Sequence, residues 1–207
     1  KFGLTGARSS EPYYKPLYHR AIEYSDNEYE NSGHGEVVGV DLSYKIRKDN
    51  WNLSLSYAFQ HAKRQVYSDD DEQYNFSGDI PHTAQLGMNY QFASGWSAGF
   101  LAKYSTGSAY TPVIGTYLHT DVDGSTRVRP IYGVPYSKRM PYYFMLNLRF
   151  AYTQLVGETG ELEYSFEVLN ATARNNVQGY QYDDEYNKES DAVGLPIIPT
   201  FNLTYRF

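Results

Sequence analysis

The sequence contains no cysteine, and only two tryptophans and three methionines, among its 207 residues. The absence of cysteine excludes a disulfide framework and metal sites that use thiolate ligands. Long apolar runs are also missing, whereas a transmembrane helix needs about 20 predominantly apolar residues in succession. If the chain spans a membrane, it must therefore do so as a β-barrel.

Excess positive charge is missing as well, since the formal net charge is -6. We therefore expect no nucleic-acid partner. The histidines never adopt the H-E-x-x-H spacing of a zinc site, and no serine lies in a G-x-S-x-G motif. We predict no catalytic residue, no metal ligand and no cofactor, and hence no enzyme. The histidines are His19, His34, His61, His82 and His119.

Aromatic residues, by contrast, are abundant. There are 23 tyrosines and 10 phenylalanines, yet the mean hydropathy is only -0.60. A soluble core normally relies on leucine, isoleucine and valine. A chain rich in tyrosine but poor in aliphatic residues is suited to a surface at a membrane–water boundary.

Strict alternation of apolar and polar residues predicts seven β-strands. In the last, Phe201, Leu203, Tyr205 and Phe207 share one face, opposite Asn202, Thr204 and Arg206. An eighth, less regular strand is expected within residues 1–24, where Pro12 and Pro16 interrupt the pattern, so that this strand is broken or lies at a sheet edge. The seven segments are 38–46, 51–59, 86–92, 96–104, 142–152, 162–168 and 201–207.

The connections between these segments alternate between short and long. Short polar turns fall at 48–50, 93–95 and 157–160, and long stretches at 63–81, 106–141 and 171–199. Outer-membrane barrels alternate in this way, with strands of about 9–11 residues and aromatic rings at both ends of the apolar band. The pattern predicts an all-β, antiparallel transmembrane β-barrel with its apolar face in lipid. A soluble sandwich explains the alternation but not the loop rhythm or the paired rings.

Several stretches, in order along the chain, carry a family resemblance. They are YENSGHG and GVDL within 29–42, DIPHT at 79–83, GWS at 95–97, YSTGSAYTP at 104–112, FEVLNATARNNV at 166–177, and LPIIP at 195–199 before YRF at 205–207. Together these stretches resemble the C-terminal part of the barrel of TonB-dependent outer-membrane receptors and transporters.

The resemblance implies about eight C-terminal strands of a 22-stranded barrel, so that residues 1–207 form the C-terminal portion of a longer protein whose plug domain is not in this chain. It implies a transporter of the bacterial outer membrane that binds a scarce extracellular solute and imports it into the periplasm. Its expected partners are outer-membrane lipid and lipopolysaccharide, the TonB complex through the missing N-terminal region, the barrel assembly machinery and a surface lipoprotein. Phe201, Leu203, Tyr205 and Phe207 would form the C-terminal assembly signal.

Two other hypotheses stay open at this point: a stand-alone eight-stranded barrel with a structural or adhesion role, and an outer-membrane enzyme. The substrate of a transporter is open among siderophore, glycan, peptide and cobalamin. These strands are not expected to close a barrel by themselves, because their small polar inward residues suit a wide lumen.

Tyrosines of the two longest connections are the candidate substrate-binding residues, because exposed tyrosines give rigid contact area to a ligand. Packing between loops explains them equally well. They are Tyr110, Tyr117, Tyr132, Tyr136, Tyr180, Tyr182 and Tyr186. Two acidic stretches are read as loop features rather than Ca²⁺ sites: 69–72 as a solvated tip, and Asp123-Gly124 as a turn.

Overall fold

The computed structural model describes residues 2–16, 29–65, 73–186 and 189–207, which are all-β. Strands make up most of these residues, the sheets are antiparallel, and no helix occurs in these ranges. The described residues accordingly include no helix with the length and apolarity to cross a membrane. These findings confirm the all-β, antiparallel part of the predicted fold.

Fifteen strands occur in the described ranges. In chain order they are β1 (Phe2–Pro16), β2 (Tyr29–Arg47), β3 (Trp51–Gln65), β4 (Gln73–Asn75), β5 (His82–Ala93), β6 (Trp96–Ser105), β7 (Ala109–Tyr110), β8 (Val113–Thr120), β9 (Thr126–Tyr132), β10 (Lys138–Arg139), β11 (Tyr143–Val156), β12 (Gly160–Leu169), β13 (Val177–Tyr182), β14 (Glu189–Val193) and β15 (Ile198–Arg206).

Eight long strands form the main sheet in the order β1-β2-β3-β5-β6-β11-β12-β15, with the short β4 attached to β3. Each long strand pairs antiparallel with the next one along the chain. All seven predicted segments are strands of this sheet. The irregular first segment is the edge strand β1, whose register shifts between Tyr13 and Lys15. Residues 17–24 of that segment lie outside the described residues.

Several strands are longer than predicted. β2 has 19 residues and β3 has 15, against the expected 9–11. Backbone pairing continues after the alternation ends, since Arg64 is still opposite Gly35. The prediction of length was wrong here because a ladder needs only backbone N–H and C=O groups, whereas the alternation reports side-chain environment.

The rhythm of short and long connections is confirmed. The turn at 94–95 relies on Gly95, whose φ is 77° and whose added Cβ would collide with the carbonyl oxygen of Thr153. The long connections, however, are not plain loops. They contain the hairpins β8/β9 and β13/β14 and the short pair β7/β10. The predicted Asp-Gly turn joins β8 to β9, with Gly124 at a φ of 83°.

Within the part of the chain that the structure describes, no second layer covers the apolar face of the main sheet. Leu55 lies between Tyr44 and Leu86 in the ladder and is 42% exposed. Phe150 and Phe166 are opposite one another on the same face and are also exposed. Among the described residues only three hydrophobic side chains are buried, and all three are alanines: Ala62, Ala109 and Ala151. This part of the chain therefore has no apolar core of ordinary size.

Aromatic rings form two rows on this apolar face. Near the short turns, ring contacts join Trp96 to Tyr152 with centroids 4.6 Å apart, and Trp96 to Phe150 at 5.2 Å. Near the long connections, Tyr104 contacts Tyr142 at 5.9 Å. The predicted rings at both ends of the apolar band are thus in contact across neighbouring strands.

The opposite face carries the charges. Arg149 donates from Nε to Oε1 of Glu167 at 2.9 Å and from Nη2 to Oε1 of Glu163 at 2.7 Å. Nη1 of Arg206 lies 3.7 Å from Oε2 of Glu161, and Nη2 lies 3.8 Å from Oε2 of Glu163. These pairs cross β11, β12 and β15, so the charged side chains of this face are matched across three strands.

The main sheet is open in the part of the chain that the structure describes. Its two edges are β1 and β15, and no sheet closes into a barrel there. This open order agrees with the expectation that these strands do not close a barrel by themselves.

Candidate ligand groove

The hairpins of the long connections enclose a groove of about 940 Å³ at one end of the sheet. β7, β8, β9, β13 and the turn after β13 contribute its walls. Five of the seven predicted tyrosines line this groove: Tyr110, Tyr132, Tyr180, Tyr182 and Tyr186. Residues up to 76 positions apart in sequence therefore come together, as the expectation of a tyrosine-lined site requires.

Two ring pairs give the tyrosine wall its shape. The rings of Tyr110 and Tyr180 are 5.0 Å apart and tilted by 53°. Those of Tyr182 and Tyr186 are 5.6 Å apart and tilted by 31°. Ligand binding and packing between loops are therefore compatible for these tyrosines, because the rings pack against each other and still line the groove.

The other two predicted tyrosines do not line the groove. Tyr117 is exposed on β8, and its ring meets the edge of His119 at 6.4 Å. Tyr136 occupies a turn at a φ of 52°, where its N–H donates to Oγ1 of Thr111 at 3.0 Å. The structure thus does not bring these two residues into the predicted site, because strand direction and turn geometry direct them elsewhere.

Charged residues of the groove were missed by sequence reasoning. Arg127 and Arg129 line one wall, and the run 183–185, Asp-Asp-Glu, lines another. Both arginines contact Asp121, at 3.3 Å from Nε of Arg127 and 3.7 Å from Nη2 of Arg129. The available signal was the sequence Thr-Arg-Val-Arg after the Asp-Gly turn, where alternation puts both arginines on one side of a hairpin.

Burial raises the pKa of three groove tyrosines. It raises the pKa of Tyr110 and of Tyr132, with smaller contributions from Tyr180 and Tyr186 respectively. Burial also raises the pKa of Tyr182, to about 12, together with the carboxylate of Glu189. The Tyr182 hydroxyl donates to Oε2 of Glu189 at 2.6 Å. Tyrosine hydroxyls of this kind both donate and accept hydrogen bonds.

The Tyr182–Glu189 hydrogen bond makes the β13/β14 hairpin sensitive to alkaline pH. Because the folded pKa of Tyr182 is raised above its ordinary value of 10.0, its contribution to stability is complete below pH 10 and is lost as the pH rises towards about 12. We expect Glu189→Gln to lower the pKa of Tyr182. A tyrosinate absorbance titration against Tyr182→Phe measures it, and an unchanged titration in Glu189→Gln would contradict the assignment.

An ion pair with a buried carboxylate joins two of the long connections. Asp79 has no exposed surface and pairs with Arg139 of β10. Oδ1 of Asp79 accepts the N–H of Ala62 at 2.8 Å, and Nη1 of Arg139 donates to the Asp79 carbonyl at 2.7 Å. The connection after β3 is thereby tied to the connection after β6.

A second set of hydrogen bonds holds the connection between β12 and β13, from which the β13/β14 hairpin begins. β12 pairs with β11 only from Leu148 onward, and Asn176 continues the edge of β11 by bonding both the N–H and the carbonyl of Phe144 at 2.9 Å. Asn170, buried at a φ of 50°, donates from Nδ2 to the carbonyls of Arg174 and Leu195 at 3.0 Å. These asparagines fix where the hairpin leaves the sheet.

The predicted assembly-signal residues are exposed on one side of the edge strand. Phe201, Leu203 and Tyr205 project from β15, and Phe207 follows it with its ring 6.0 Å from that of Tyr205. Their role stays a prediction. The acidic run 69–72 lies outside the described residues.

No protein-family model matches the chain, and no curated protein matches its sequence. Within the described ranges, His, Asp and Glu residues form no group of three or more with the geometry to hold a metal ion.

Proposed function

We propose that the chain is the C-terminal part of a TonB-dependent transporter barrel in the bacterial outer membrane, and that the tyrosine-lined groove contacts its extracellular solute. The observation that carries the membrane part is the uncovered apolar face of the eight-stranded sheet. Contiguous apolar surface of this extent is uncommon on soluble monomers and marks contact with lipid or protein.

Lipid is favoured over a protein layer by the position of the rings. Trp96 and Tyr152 border the apolar band on one side and Tyr104 and Tyr142 on the other, and such paired rows are typical of the two membrane interfaces. β6 and β12 have 10 residues each. Ten residues at roughly 3.3 Å each, tilted by about 45°, span the ~25 Å apolar band of an outer-membrane barrel.

In the proposed barrel, further strands pair with β1 and β15. An open sheet in lipid would leave the backbone N–H and C=O groups of both edges without partners, at several kcal/mol for each group. The matched charges on the other face suit a water-filled lumen or a plug, since Arg149 and Arg206 would be costly in hydrocarbon.

The solute site is proposed from the groove. It lies at the end of the sheet that carries the long connections, which in such barrels face the outside of the cell. Paired tyrosine rings with their hydroxyls, facing arginines on one wall and carboxylates on another, offer both stacking surface and hydrogen bonds to a polar solute. Binding at this groove would be the first step of import.

Truncating the Tyr110–Tyr180 pair tests the solute site. We expect the double variant Tyr110→Ala/Tyr180→Ala to weaken solute binding about tenfold or more, because central aromatic anchors carry most of the affinity. The measurement is calorimetric titration of the full-length protein that contains these strands, in detergent micelles, with a ferric hydroxamate siderophore, cobalamin, maltohexaose and a hexapeptide. The member of this panel that binds the unmodified chain is then titrated into the variant.

Tyr117→Ala is the matched control, because Tyr117 is an exposed loop tyrosine outside the groove. It should bind like the unmodified chain. Equal losses of solute affinity in Tyr117→Ala and in the double variant, or no binding of any panel member, would exclude the groove from the proposed function. The membrane location is tested separately.

A further inference from the structure

A second cleft, of about 800 Å³, lies where the apolar face meets the β12–β13 connection. We call it the Arg174 cleft, and it is lined by Pro141, Tyr142, Phe144, Thr172, Arg174, Asn175 and Val177. It is separate from the tyrosine-lined groove, with which it shares no lining residue.

Arg174 is the only charged residue among those that line this cleft. Its guanidinium lies 3.9 Å from the centroid of the Tyr142 ring, and Nη2 donates to the Tyr142 carbonyl at 3.2 Å. Nε is buried and finds no hydrogen-bond acceptor within the described residues. Arg174 also has no carboxylate partner there, unlike Arg139, Arg149 and Arg206.

The surroundings of the Arg174 guanidinium indicate the chemical class of ligand that it would bind. Tyr142 belongs to the ring row near the long connections, through its contact with Tyr104, and its ring is exposed on the apolar face. Phe144 and Val177 continue the apolar lining beside it. A guanidinium with unused donors, held flat on an aromatic ring at the rim of an apolar surface, is suited to a phosphate whose attached chains lie along that surface.

We propose that the Arg174 cleft binds the phosphate of a membrane-lipid headgroup, with the acyl chains on the apolar face beside Phe144. This inference rests on the proposed membrane location. Arg174 would supply the charge-assisted hydrogen bonds, and the Tyr142 ring would hold the guanidinium flat. Asn170 and Asn176, which fix the connection to β11, position Arg174 without contacting the lipid.

The test is lipid retention by the full-length protein that contains these strands, extracted from phosphatidylcholine vesicles with a minor fraction of phosphatidic acid and measured by native mass spectrometry. The unmodified chain should retain phosphatidic acid in preference to phosphatidylcholine. Arg174→Gln should reduce that preference about tenfold, the effect of losing a charge-assisted hydrogen bond. Arg47→Gln, an equal charge change at an exposed residue near the short turns, should not reduce it.

Asn175→Glu provides a second variant that leaves Arg174 in place. Asn175 is exposed and lines the cleft, so that a glutamate there would neutralise Arg174 and repel a phosphate. We expect the same loss of preference, whereas Asn175→Gln should keep it. Agreement of both variants excludes a simple loosening of the connection as the cause.

The other outcomes overturn the proposal in distinguishable ways. Unchanged preference in Arg174→Gln and Asn175→Glu, in protein that still inserts into vesicles, would remove the lipid site and leave the proposed function standing. Displacement of the retained phosphatidic acid by soluble glycerol 3-phosphate at the same concentration would assign the site to free phosphate rather than to lipid. Failure of the unmodified full-length protein that contains these strands to insert at all would remove both proposals.

Discussion

Replacing Leu55 with arginine is expected to destabilise the membrane-inserted protein by about 2–4 kcal/mol, the cost of a cationic side chain near the midplane of an outer-membrane barrel. Leu55 lies at the centre of the alternating part of β3, and Tyr44 and Leu86 flank it on the exposed apolar face. The measurement is a guanidinium titration of the full-length protein that contains these strands, folded into phosphatidylcholine vesicles and followed by tryptophan fluorescence.

Ser56→Arg is the matched control for this substitution. Ser56 is the next residue of β3, is exposed on the opposite face, and lies between Ser43 and Gln85. Ser54 is less suitable because it is opposite Lys45, which would repel a new arginine. Ser56→Arg should cost less than about 1 kcal/mol. Similar costs at both positions would show that the two faces meet the same environment.

Removing Arg139 is the second large perturbation, with an expected loss of about 3 kcal/mol. Asp79 has no exposed surface, so Arg139→Ala would leave its carboxylate buried without a counter-charge. We place the estimate at the lower end of the ~3–5 kcal/mol range for breaking buried pairs, because Arg139 itself is 34% exposed. The same denaturant titration measures it.

Two further variants separate charge from contact in this pair. Asp79→Asn combined with Arg139→Ala should recover part of the loss, because the amide is neutral and its oxygen still accepts the N–H of Ala62. Arg127→Ala removes an arginine that is 63% exposed from its pairing with Asp121 and should cost under about 1 kcal/mol. A loss in Arg127→Ala as large as that in Arg139→Ala would argue against a special role for burial.

The strands of the main sheet were predictable because their side chains meet two different environments. Alternation in 51–59 identified β3, and the alternation in 201–207 identified β15, with the terminal rings exposed as expected. The antiparallel order followed from the short turns, since two or three residues can join only antiparallel neighbours. The extended ends of β2 and β3 left no such signal, because ladder pairing there is independent of side-chain environment.

The groove was predictable only in part. The abundance of tyrosine in the long connections identified Tyr110, Tyr180 and Tyr182 as candidates, but it did not show which tyrosines would line one groove. That depends on the pairing of β8 with β9 and of β13 with β14, whose residues are exposed on both sides and alternate weakly. The Asp79–Arg139 pair joins residues 60 positions apart, and no local pattern reveals such a contact.

The most direct test of the account is the accessibility of spin labels along β3. Because these 207 residues contain no cysteine, single cysteines at 51–60 can be labelled in the full-length protein without a competing thiol in this part of it. In lipid vesicles, odd-numbered positions should be relaxed mainly by oxygen, which dissolves in lipid, and even-numbered positions by a water-soluble nickel chelate. A period of two with this phase is the predicted result. Equal access of the nickel chelate to Leu55 and Ser56 would contradict the lipid-facing assignment and, with it, the proposed transporter barrel.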